Sequence, residues 1–122
     1  MSAVANGLVV LVALEHVWFL ALEMFLWTKP VGLRTFRQTE EKARSSAALA
    51  ANQGLYNGFL VAGLVWGLLA QEPAHAFSIK VFFLACVVIA GVFGSLTVSR
   101  RILVVQAVPA ALALALLWLS RG

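Results

Sequence analysis

Four runs of about 20 residues with few or no ionisable side chains, at about 4–27, 48–70, 79–98 and 102–119, fill most of this chain. A helix of that length crosses a hydrocarbon core of about 30 Å. A segment that crosses lipid must satisfy its own backbone hydrogen bonds, and barrel strands would alternate polar with apolar residues. No such alternation occurs, so the expected fold is all-α: a polytopic membrane protein, a bundle of four transmembrane helices forming one domain over 1–122. Composition agrees. Of the 122 residues, 62% are hydrophobic and 11% charged, against about half and a quarter in soluble domains. So short a chain has too much surface to hide that many apolar side chains from water.

The charges say how the spans are oriented. Nine Lys and Arg outnumber five Asp and Glu, but they cluster in connections, so the expected partner is a lipid bilayer with anionic headgroups and not a nucleic acid. Lys29, Arg34, Arg37, Lys42 and Arg44 share one connection, and Arg100 and Arg101 another. Only Lys80 and Arg121 fall on the other side. The positive-inside bias puts both basic connections in the cytoplasm and both termini outside. The first apolar run is read as a retained helix and not a signal peptide: no Lys or Arg precedes Val4, the run is long, and two glutamates interrupt it. Thr39 before Glu40 and Glu41 reads as a helix start in the longer connection, with Glu40 and Arg44 an i, i+4 pair and the segment lying along the lipid surface.

The first span is the unusual one, because it carries Glu15, His16 and Glu23. At 100° per residue these three and Phe19 fall within about a 100° sector. A carboxylate charged at the bilayer centre costs about 3 kcal/mol, so these groups should face protein, water or a ligand. Asn52, Gln53, Tyr56 and Asn57 occupy about a 140° sector at the cytoplasmic end of the second span. Ser95, Thr97 and Gln106 reach the same layer, and Trp18 lies deep enough to line a cavity. A polar pocket open to the cytoplasm is expected, with Glu15, His16 and Glu23 titrating as a coupled unit, as proton coupling or acid/base catalysis requires. The competing reading is structural: the glutamates hydrogen-bond to Asn, Gln and Tyr and lock helices together.

Other signals concern packing. Gly54, Gly58 and Ala62 recur every four residues on the second span, and Cys86, Ala90 and Gly94 on the third, as small-residue ridges that let helices approach closely. Pro109 removes a backbone donor within the fourth span, so a bend is expected near there, as a structural kink or a hinge. Trp27, Trp66 and Trp118 sit near span ends, as interface anchors do. Cys86 is the single cysteine, His75 reads as a loop histidine, and no metal-ligand spacing, phosphate loop or serine elbow occurs. No metal and no cofactor is expected.

At Leu14-Glu15-His16, at Leu22-Glu23-Met24-Phe25-Leu26-Trp27 and across Ala51-Asn52-Gln53-Gly54-Leu55-Tyr56-Asn57-Gly58-Phe59 the sequence resembles a bacterial family of small four-span membrane proteins catalogued as a domain of unknown function. The resemblance covers essentially the whole chain and implies a bacterial inner-membrane protein without implying an activity. In size and in its first-helix glutamate the chain is also similar to the small multidrug exporters. Three functions are therefore weighed. Foremost is binding or proton-linked transport of a small cationic or amphipathic solute through Glu15 or Glu23, by a homo-oligomer, since four short spans rarely enclose a pathway alone. Next is an intramembrane isomerase or hydrolase on a lipid-like substrate, with Glu23 and His16 as acid/base pair and Asn52, Gln53, Tyr56 and Asn57 orienting the substrate. Last is an accessory subunit docking a larger membrane complex.

Overall fold

Every regular element among residues 2–121, which the computed structural model describes, is a helix. They are α1 (Ser2–Met24), α2 (Pro30–Phe36), α3 (Glu40–Ser45), α4 (Ala47–Leu69), α5 (Pro73–Thr97) and α6 (Arg100–Arg121). Helices α1, α5 and α6 are long and apolar enough to cross a membrane. At 23 residues α4 is also long enough, about 35 Å. Its first half is diluted by Asn52, Gln53, Tyr56 and Asn57, which is why it stands apart from the other three.

Helix α5 begins six residues earlier than the apolar run suggests. Glu72 caps it, its carboxylate accepting the backbone N–H groups of Ala74 (3.0 Å) and His75 (2.9 Å). Pro73 takes the first helical position, where a missing N–H costs nothing. Lys80, expected at the outer border of its span, therefore lies about two turns inside α5.

The chain divides into two compact units, His16–Val61 and the remainder, which runs up to Glu15 and resumes at Ala62. In the latter, α5 and α6 form an antiparallel hairpin across Val98 and Ser99, and the Ser99 hydroxyl accepts the Arg101 N–H at 3.2 Å. Lys80, Leu84, Val87 and Gly91 are the buried residues of α5, and Ala107, Ala110, Ala113 and Leu117 those of α6. The close approaches on α5 are at Gly91, two turns on from the buried Leu84 and one from Val87, and at Gly94, where a Cβ would lie 2.8 Å from Ile102 Cγ2; of the expected Cys86, Ala90 and Gly94 ridge, Ala90 is exposed. A Cβ on Gly91 would lie 2.7 Å from the Ala107 Cβ and 2.9 Å from its backbone N. Pro109 leaves its mark just upstream: Leu103–Ala107 is π-helical, and the Val108 N–H bonds to Leu103 O. The wider turn relieves the clash between the proline ring and the carbonyl four residues back. Ile89, Phe93 and Leu96 remain exposed on α5, an apolar outward face suited to acyl chains.

In the His16–Val61 unit the chain leaves α1 and folds back through α2 and α3 into α4. Gly32 is essential to that return, because a Cβ there would collide with the backbone carbonyls of Leu26 and Trp27. The Trp27 ring packs on Phe36 with centroids 4.7 Å apart, and its Nε1 donates to Ser46 Oγ at 3.2 Å. Arg37 ends α2 in the left-handed conformation (φ 51°). Thr39 then caps α3, its hydroxyl accepting the Lys42 N–H at 3.2 Å, and Glu40 pairs with Arg44.

Candidate functional site

Within the His16–Val61 unit, α1 and α4 approach closely where Gly54 has no side chain. A Cβ on Gly54 would sit 3.2 Å from the Glu23 Cβ and 3.3 Å from Leu20 O. Gly58, one turn on, faces Leu20 Cδ1 at 3.1 Å by the same measure. Between these two glycines in sequence, Asn57 is buried and its Nδ2 donates to Glu23 Oε1. Small residues set the helix separation, and the separation brings an amide onto a carboxylate in a span. With one amide hydrogen bond, the carboxylate keeps acceptor capacity on both oxygens.

The other residues singled out from the sequence distribute differently. His16 is fully buried and meets Phe19 edge to face, with ring centroids 5.1 Å apart and planes at 69°. Seven residues, about 10 Å of helix rise, separate it from Glu23. Glu15 is half-buried, and its Oε1 is buried with no hydrogen-bond partner among the described residues. Trp18 is half-exposed, while Asn52, Gln53 and Tyr56 lie on the exposed side of α4, Tyr56 beside Phe59 at 5.9 Å. Gln106 is half-buried within the π-helical segment. Ser95 and Thr97 spend their hydroxyls on their own helix, bonding to Val92 O (2.7 Å) and Phe93 O (2.8 Å). Of the polar set, then, the structure joins Glu23 to Asn57 and leaves Asn52, Gln53 and Tyr56 on the outer surface.

A second polar pair, Asn6 and Lys80, went unrecognised in the sequence. Lys80 is 8% exposed, and its Nζ donates to Asn6 Oδ1 at 2.7 Å, tying α5 to α1 within one unit. Its stem passes over Gly67, where a Cβ would lie 2.6 Å from the lysine Cγ. The signal available was Glu72-Pro73 as a helix start, which moves Lys80 from the border to the interior of its span. His75 is exposed in the first turn of α5, 3.4 Å from the Glu72 carboxylate. Among the described residues no cluster of three or more His, Cys, Asp or Glu is arranged to hold a metal ion.

The chain is similar to the uncharacterized protein YpaA of Lactococcus lactis subsp. lactis (strain IL1403), at 31% identity over 106 residues, covering 85% of this chain and 87% of that protein. No solved structure matches it. The family described as "Protein of unknown function (DUF1304)" matches residues 10–118, a span that includes Glu15, His16, Glu23 and Asn57. With most of its length matched in this way, the chain belongs to the DUF1304 family.

Proposed function

We propose that the protein is a four-span component of the bacterial inner membrane, with both termini outside the cytoplasm, that binds a small cationic or amphipathic solute at Glu23 and exchanges a proton for it. The observation that carries this reading is the bond between Glu23 and Asn57. A carboxyl group inside an apolar helix is costly to ionise. The amide holds one oxygen in place without neutralising it, so the group can take either a proton or a cation. Helix α4 then serves as the fourth span, its buried polar residue being satisfied by α1. The basic connections at Lys29 to Arg44 and at Arg100 and Arg101 support the orientation, and the Lactococcus relative supports the bacterial setting. Four short spans favour an oligomer.

The test is proton release on addition of tetraphenylphosphonium to protein solubilised in uncharged detergent, followed with a pH-sensitive dye, together with mass spectrometry of the small molecules that co-purify. Release by the native protein that disappears in Glu23→Gln, with loss of the same co-purifying species, is the expected result. Equal release by both proteins removes Glu23 from the mechanism.

A further inference from the structure

We infer that the segment joining α1 to α3 is a docking surface for anionic phospholipid headgroups, with Lys29, Arg34 and Arg37 receiving the phosphates. All three cations are exposed. The ion pairs present among the described residues are Glu40 with Arg44 and Glu72 with His75, so Lys29, Arg34 and Arg37 have no carboxylate partner. No acidic residue lies between Glu23 and Glu40 in sequence. Glu23 is bonded to Asn57, Glu40 is engaged by Arg44, and Glu41 is the remaining acid of the segment.

The same segment carries an apolar component at the level where α1 stops. Phe25 is 67% exposed and Phe36 40% exposed. Phe36 is held against Trp27, and Trp27 is anchored to Ser46, so aromatic rings are fixed beside the cations. Gly32 locks α2 against the end of α1, and the left-handed Arg37 ends α2 three residues after Arg34. Aromatic side chains at a span end with unpaired Arg and Lys next to them match the acyl and phosphate layers of one lipid leaflet. A guanidinium can bond a phosphate through two parallel N–H groups, which favours Arg at two of the three positions. Each basic residue at an anionic surface is worth about fivefold in binding, so three together amount to roughly a hundredfold preference.

The surface requires α1 to end at a membrane but does not depend on solute binding at Glu23. The experiment is native mass spectrometry of the full chain in uncharged detergent, offered equimolar phosphatidylglycerol and phosphatidylcholine of the same acyl chains. The expected result is at least tenfold preferential retention of phosphatidylglycerol, falling toward parity in a Lys29→Gln, Arg34→Gln, Arg37→Gln variant and falling less in Arg100→Gln, Arg101→Gln. Glu23→Gln should keep the preference, which separates this surface from the solute site. Equal retention of the two lipids by the native chain overturns the inference, and needs no variant to fold. So does a preference that survives in the triple Gln variant, or one abolished by 10 mM inorganic phosphate, which would mark a site for the free anion.

Discussion

Asn57 Nδ2 donates to Glu23 Oε1 one helical turn beyond Gly54, the residue whose missing side chain lets α1 and α4 approach. The bond joins residues 34 apart in sequence and is a clean probe of helix association. Interhelical polar bonds in membrane proteins average about 0.6 kcal/mol and reach about 1.7. Asn57→Ala is expected to cost about 1 kcal/mol, because it removes the donor and leaves the carboxyl oxygen unpaired. Glu23→Gln keeps an acceptor facing Asn57 and should cost less. Reversible unfolding in mixed micelles measures both; a larger loss for Glu23→Gln would contradict this pairing.

Helix α5 offers a direct comparison of two faces. Gly91→Ala puts a methyl against the Cβ and backbone N of Ala107. Backbone cannot yield as a flexible side chain does, so overpacking of about 1–3 kcal/mol is expected. Ala90→Leu, on the exposed side of the same helix, should stay within about 0.5 kcal/mol. Thermal unfolding in detergent distinguishes the faces, and the opposite order would make Ala90 the packed position.

That comparison also marks where the sequence stops being informative. Helices could be read from apolar length, and the need of Glu23 for a polar partner from the cost of a carboxylate in a span, but nothing in the sequence singled out Asn57 from Asn52, Gln53 and Tyr56. The inward face of α5 could not be read either. In a soluble helix the polar side betrays the surface, but here Ile89, Phe93 and Leu96 point outward and are as apolar as buried Leu84 and Val87. Asn52, Gln53 and Tyr56 misled for a related reason: polarity within an apolar run suggests burial among partners, yet these three are exposed on α4 while only Asn57 turns inward.

Lys80 and Asn6 make an asymmetric pair, and the asymmetry is testable. Lys80→Met keeps the stem that covers Gly67 and removes the ammonium, so it leaves one amide oxygen without its donor. Asn6→Leu keeps the ammonium and takes away its acceptor, stranding the more costly group. Asn6→Leu is therefore expected to destabilise more than Lys80→Met, by about 1 kcal/mol or more, with the double variant near Lys80→Met alone. If Lys80→Met proves the more damaging change, the bond contributes through the ammonium in some other way than contact with Asn6.

The cap on α5 gives a pH dependence whose sign is fixed. The backbone N–H groups of Ala74 and then His75 hold the Glu72 carboxyl below the usual glutamate range, aided weakly by the His75 ring. A carboxyl whose pKa is lower folded than unfolded binds fewer protons in the folded state, so its stabilisation is complete above the unfolded value of about 4.3 and is lost as pH falls through the folded value. In uncharged detergent, the melting temperature of the native protein should exceed that of Glu72→Ala by a constant margin from pH 7 to about pH 5.5, and the margin should narrow below about pH 4. Short hydrogen bonds to backbone resist screening better than an exposed ion pair, so most of the margin should persist in 0.5 M salt. A margin that widened below about pH 4 would mean that the carboxylate acts through an unfavourable charge and not through the cap.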